Sequence, residues 1–237
     1  MASTSETGHA KNVANFEKLI SVCTGYGADY NPSRTELQLP ALNTLHTQAQ
    51  NSLAAVNTAN TTFINATNAR QTAFEPLKKL ATRIVNALDA AGASDKLVQD
   101  AKTINKKIQG IRSGKPNPDT DNTISVAQQS YDSLAENFAR LVELVSSEPA
   151  YTPNEPELQV ANLQNTLNNL RAENTTVGNT HTAYANARIE RNNVLYADDS
   201  GLVNIADDVK KYAKSVFGTS SPQYKQLSRI KFRKKKL

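Results

Sequence analysis

Apolar residues recur at three- and four-residue steps along most of this chain, the period of a helix that buries one face. Val13, Phe16, Leu19, Ile20 and Cys23 form the first such stripe. The segment "TGYGADYNPS" ends it with two glycines and a proline, and Ser33 or Thr35 is placed to cap the next helix. A much longer stripe runs from about Glu36 to Glu75. Leu42, Ala49, Val56, Phe63, Arg70 and Leu77 lie seven apart, with Leu45, Ser52, Ala59, Ala66 and Ala73 at companion positions. A seven-residue period keeps one seam facing a partner helix, and small residues allow close approach. Such a helix spans on the order of 55 Å. Pro76 interrupts it. Leu77, Leu80, Ile84 and Leu88 predict a third helix closing near Gly92. Ser94 caps a fourth, with Val98, Ala101, Ile104, Ile108 and Ile111 on one face.

The same scheme is then written again. "NFEKLISVCTGYGADYNPS" at 15–33 is matched by "NFARLVELVSSEPAYTPNE" at 137–155. At an offset of 121, Tyr30, Pro32, Glu36, Leu37, Gln38 and Leu42 fall on Tyr151, Pro153, Glu157, Leu158, Gln159 and Leu163. Val56, Thr61, Asn65, Ala66 and Arg70 fall on Val177, Thr182, Asn186, Ala187 and Arg191. After a short insertion Leu77, Leu80, Ala81 and Ile84 align with Leu202, Ile205, Ala206 and Val209. In this second half Leu134, Phe138, Leu141, Val142 and Val145 form the first face. Leu163, Leu170, Val177, Tyr184 and Arg191 carry the heptad spacing. "ADDSG" breaks the long helix, and Leu202, Ile205, Val209, Tyr212 and Val216 continue beyond it. Gly218 and Ser220–Pro222 punctuate before a short last helix.

These patterns predict an all-α protein: an elongated helical bundle built from a tandem duplication of a four-helix unit with one long heptad-patterned helix each. The expected boundaries are a flexible N-terminus at 1–11, a first unit at 12–112 and a polar, breaker-rich linker at 113–122. A second unit occupies 123–228, then a basic tail 229–237.

The sets "NFEKLISVCTGYGADYNPS", "NARQTAFEPLKKLATRIVNAL" and "DDVKKYAKSVFGTSSPQYKQLSRIKF" resemble a family of bacterial hypothetical proteins of helical character and unknown function. The resemblance covers nearly the whole chain. It implies a helical fold and carries over no activity, cofactor or substrate.

Composition narrows the chemistry. The single cysteine, Cys23, permits neither an intramolecular disulfide nor a cysteine metal cluster, and its apolar neighbours make it a small core residue. His9, His46 and His181 have no second His or Cys at ligand spacing. The pairs Asp198–Asp199 and Asp207–Asp208 point about 100° apart on a helix, so they form no acid–base pair by spacing alone. Asp207 and Asp208 fit better at a helix start, where the dipole favours negative charge. No glycine stretch sits between a strand and a P-loop lysine. The expectation is a non-enzymatic protein with no catalytic, cofactor or metal residues. No apolar leader or membrane-length stretch is present, which makes the cytoplasm the default location, with signal-independent export as the alternative.

Charge then singles out a few residues. The net charge is +5, yet residues 206–237 hold ten Lys or Arg against Asp207 and Asp208, a net of +8 that leaves −3 on the rest. In the tail, Arg229, Lys231, Arg233, Lys234, Lys235 and Lys236 are candidates for phosphate or acidic-partner contacts, although Phe232 is the only aromatic among them. A solvated end is the plainer reading. Arg70 and Arg191 occupy equivalent apolar positions near the ends of the two long helices. They suit partner or anion contacts, or plain snorkelling with a carboxylate such as Glu17 or Glu75 for Arg70. Asn65 and Asn186 are candidates for setting register as buried polar residues. The function expected from all this is structural: self-association, or binding of a protein partner, through long helical faces. Nucleic-acid binding through the tail is the alternative, and no membrane is involved.

Overall fold

Three serines show how this sequence starts its helices. Ser94, Ser130 and Ser221 each accept a hydrogen bond from the backbone N–H three residues on, at 3.4, 3.2 and 3.1 Å. The computed structural model describes residues 8–111 and 129–234. Those residues form the helices α1 (His9–Gly25), α2 (Leu39–Phe74), α3 (Leu77–Ala90), α4 (Asp95–Gln109), α5 (Tyr131–Ser146), α6 (Val160–Tyr196), α7 (Leu202–Phe217) and α8 (Pro222–Ser228). Short 3₁₀ turns lie at Gly27–Asp29, Thr35–Leu37 and Pro156–Leu158, and no strand occurs among the described residues. The protein is an all-α helical bundle.

The breakers fall where the pattern places them. Pro76 separates α2 from α3, and α4 ends on Gly110 in the left-handed conformation at φ 77°, a common helix stop. At "ADDSG" the chain turns so tightly that a Cβ on Gly201 would lie 2.5 Å from the backbone nitrogen of Ala197. Asp199 in the same turn takes φ 65°.

Several local expectations fail for identifiable reasons. Neither Ser33 nor Thr35 caps α2, because Thr35–Leu37 forms a 3₁₀ turn before that helix begins at Leu39. Asp207 and Asp208 lie in the second turn of α7 rather than at its start. They pair with Lys210 and Lys211 one turn on, and Asp208 also binds Arg34 at 2.6 Å. Asn65 and Asn186 are exposed, so neither is a buried register residue. Ile111 lies beyond the end of α4 and is exposed, as is Val216 on α7.

The chain divides into two compact units. One comprises residues 1–62 and 181–237, the other 63–180. The repeat boundaries 12–112 and 123–228 therefore do not mark the compact units, and the expected linker at 113–122 lies outside the described residues. In the discontinuous unit, α1 packs on α7 and α8, and the 3₁₀ turn at Thr35–Leu37 packs on α7. Phe16, Leu19 and Cys23 share its core with Leu42, Leu195, Leu202, Val209 and Leu227. In the continuous unit, α4 packs between α3 and α5, and the 3₁₀ turn at Pro156–Leu158 packs on α3. Leu77, Ile84 and Leu88 share its core with Phe138, Leu141, Leu163 and Leu170.

Each unit contains the same loop. The Tyr30 hydroxyl donates to the Leu37 carbonyl at 2.7 Å, and the Tyr151 hydroxyl donates to the Leu158 carbonyl at 2.9 Å. Both rings are buried, so each bond saves a carbonyl from burial without a partner. Burial raises the Tyr151 pKa to about 12, with the Glu155 carboxylate adding to the effect. Next to Tyr30, burial lifts the Cys23 thiol to about 12, with a hydrogen bond to the Tyr30 side chain opposing the rise. Cys23 is a core residue, in keeping with its apolar neighbours.

Candidate functional site

The C-terminal segment is where charge and structure meet. Residues 229–234 do not hang free. They lie on the discontinuous unit with Ile230 and Phe232 against its core and Arg229, Lys231, Arg233 and Lys234 exposed. Ile230 and Phe232 turn inward, and Lys231 and Arg233 beside them face solvent.

Two asparagines of α1 hold the segment by its backbone. Asn12, only 4% exposed, uses both ends of its amide on one residue: Oδ1 accepts from the Arg233 N–H at 3.1 Å, and Nδ2 donates to the Arg233 carbonyl at 2.9 Å. One turn on, Asn15 Nδ2 donates to the Lys231 carbonyl at 2.7 Å. Phe232 then meets Phe16 edge-on at 6.5 Å, and Lys210 Nζ sits 4.8 Å from the Phe232 ring centre. Lys234 Nζ reaches Asp198 at 3.3 Å. The segment is thus a strap that displays a fixed row of cations. Lys235 and Lys236 lie outside the described residues.

The strap connects to Arg191 through one tyrosine. Tyr196 Oη accepts from Asn12 Nδ2 at 3.3 Å and lies 2.8 Å from His9 Nδ1. Burial raises the Tyr196 pKa, while the Asn12 hydrogen bond and the Arg191 charge oppose the rise. Arg191 is 8% exposed, and its acceptor is an amide rather than a carboxylate. Asn192 Oδ1 takes its Nε–H at 3.2 Å and its Nη2–H at 2.7 Å. Burial, and then the like charge of Arg188, lower the Arg191 pKa, and the guanidinium nevertheless remains protonated at neutral pH. The same like-charge effect recurs at Lys210, whose pKa falls through burial first and Lys231 as a lesser cause, with Asp207 opposing.

Arg70 belongs to the continuous unit and has a different partner. Its guanidinium carbon lies 4.1 Å from the Tyr131 ring centre, and Phe74 meets the same ring edge-on at 4.8 Å. The aromatic face takes the place of the expected carboxylate, Glu17 or Glu75, and Arg70 Nε has no hydrogen-bond partner among the described residues. A cation over an aromatic face is worth about 0.5–2 kcal/mol. Equivalent positions in sequence thus carry one arginine against an amide and one against a ring.

The surface of α2 is a feature that the apolar periodicity does not bring out. Its exposed residues run from Pro40 through Thr44, Asn51, Thr58 and Asn65 to Thr72, and none is charged. Its threonines add to this. Thr44, Thr47, Thr61 and Thr62 each donate their hydroxyl to the carbonyl four residues back, at 3.0, 3.0, 3.1 and 3.0 Å. A hydroxyl turned onto its own helix is already satisfied, so covering that face strands fewer polar groups. The signal is present in the sequence, where Arg70 is the only Asp, Glu, Lys or Arg in the helix.

Among the described residues no group of three His, Cys, Asp or Glu is placed to hold a metal, and no helix is long and apolar enough to cross a membrane. No family model, curated protein or solved structure matches this chain.

Proposed function

We propose that this protein is a non-enzymatic scaffold that associates with copies of itself, or with a helical protein partner, through the faces of its long helices. The observation that carries this reading is the uncharged exposed face of α2. Surfaces of well-behaved domains are about 25–35% charged, and depletion of charge marks the buried centre of an interface. At 36 residues, α2 is about 54 Å long, enough for an extended lateral contact. Ile64 adds a large apolar side chain that is 48% exposed. The burial of Leu42, Ala49 and Val56, and of Leu163, Leu170 and Val177, supports heptad seams in both long helices. The paired Tyr30 and Tyr151 loops support a duplicated unit.

The test is the mass of nuclease-treated protein by light scattering across a concentration series. Assembly above the monomer mass is expected. The double variant Asn51→Glu and Thr58→Glu, which places two charges two turns apart on the exposed face, should lower that mass while leaving helicity unchanged. A concentration-independent monomer removes self-association.

A second reading rests on the strap. Fixed cations at Arg229, Lys231, Arg233 and Lys234 suit a phosphate backbone, and a pre-ordered row loses less entropy on binding than a free tail. Deleting the tail would also remove Phe232 and the Asn12 bonds, so substitution is the cleaner test. Lys231→Gln, Arg233→Gln and Lys234→Gln together should weaken duplex DNA binding by roughly tenfold or more at low salt and flatten its salt dependence. Unchanged binding, or none in the parent protein, ends this reading.

A further inference from the structure

The continuous unit carries an open surface groove of about 630 Å³ between α3 and the loop that leads to the 3₁₀ turn at Pro156–Leu158. Ala87, Ala90 and Ala150 line it together with polar and charged groups from Arg83, Asn86, Thr152, Asn154 and Glu155. Its size falls within the range of sites that take small ligands or peptide side chains.

The discontinuous unit shows what this architecture accepts. There the corresponding loop, anchored by the same Tyr-to-carbonyl bond, faces α7. Tyr212 of α7 meets Tyr30 edge-on, with ring centres 5.4 Å apart and an angle of 90°. The Tyr212 hydroxyl accepts the Asn31 N–H at 3.1 Å. Next to it Tyr26 packs on Phe217 at 5.1 Å. In the sequence register that pairs Leu77 with Leu202 and Ile84 with Val209, Tyr212 falls on Ala87 and Phe217 on Gly92. The continuous unit keeps the buried loop tyrosine, Tyr151, and has alanine and glycine at the two positions that hold those rings in the other unit.

We infer that this groove is a binding site for the tyrosine side chain of a partner segment, which would lie where Tyr212 lies in the other unit. This rests on the scaffold reading and gives it a specific anchor. The ring would stand over Ala87 and Ala150, and its hydroxyl would meet the polar groups. The acceptors at Asn154 and Glu155 suit a neutral phenol, which donates one hydrogen bond. The groove is larger than one ring, which leaves room for the backbone that carries it. Buried tyrosines are common anchors in interfaces because they bring a large area at the cost of two torsions.

N-acetyl-tyrosinamide is the probe, with N-acetyl-alaninamide as control, read by amide shifts in a nitrogen–proton correlation spectrum. Saturable shifts are expected at Ala87, Ala90, Ala150 and Asn154 with a dissociation constant on the order of 1–10 mM, as suits so small a ligand. Ala87→Tyr supplies a ring in cis and should abolish those shifts and raise the melting temperature. Ala90→Leu narrows the groove and tests the same point where Ala87→Tyr fails to fold. Equal shifts from both amides, or shifts that survive in a folded variant, overturn the inference. Light scattering of the unmodified protein keeps the two proposals apart. Assembly without tyrosinamide binding removes the pocket alone, and tyrosinamide binding by a strict monomer removes self-association alone.

Discussion

Residues 1–112 expressed alone are expected to show helix content but no cooperative unfolding transition, and to regain one when mixed with residues 129–237. The reason is the composition of the two cores. α1 buries Phe16, Leu19 and Cys23 against Leu202, Ile205 and Val209, which the fragment lacks. α3 buries Leu77, Ile84 and Leu88 in a core completed by Phe138, Leu141 and Val145, which it also lacks. Uncovering one large apolar side chain costs about 1.5–3 kcal/mol, so Phe16, Leu19, Leu77, Ile84 and Leu88 together account for about 7–15 kcal/mol, comparable to the roughly 5–15 kcal/mol that a domain has in hand. Circular dichroism during urea titration reads the outcome. A sharp two-state transition in the isolated fragment would show that the first repeat folds by itself and that the division into units is wrong.

Asn12→Ala is expected to expose the strap to protease. The substitution removes both bonds to the Arg233 backbone and the donor to Tyr196, and it leaves a half-buried N–H and C=O unpaired. Losing such a set costs about 2 kcal/mol, which raises the open population about 30-fold. Trypsin cuts after Lys231, Arg233 and Lys234, so cleavage under conditions of fast reclosing should accelerate by a similar factor. Asn15→Ala, which removes one exposed bond to Lys231, should have a smaller effect. If neither variant is cut faster than the parent, the strap is not held by these asparagines.

Much of the helix inventory is legible from sequence because caps and breakers act locally. Ser94, Pro76, Gly110 and "ADDSG" each decide their own turn through a side-chain acceptor, a missing N–H or a left-handed φ. Partnership is not legible. Phe16 and Phe138 look alike in sequence, and nothing local says that one shares a core with α7 and the other with α3. The same holds for the arginines. Arg70 and Arg191 share a register, yet their partners, Tyr131 and Asn192, are set by tertiary packing in one case and by the next residue in the other. The strap reads as a solvated tail because lysines and arginines dominate its composition. Ile230 and Phe232, the two residues that dock it, are too few to give a periodic signal. The α2 face escapes notice for the opposite reason, since an absence of charge is inconspicuous beside a stripe of leucines.

The insertion of one unit within the sequence of the other also sets an order of events on the ribosome. Residues 63–180 are contiguous, so that unit has all its parts while the chain is still being made. The other unit has to wait for residues 181–237. Val13, Phe16 and Leu19 emerge early, yet they meet Val209 and Leu227 only once the far end of the chain has been synthesised. At about 5–20 residues per second, that leaves the face of α1 uncovered for on the order of 10–40 s. During that interval the apolar face of this helix is open to contacts other than its native ones. A chain cut short before α7 would leave the ribosome with one core complete and the other open.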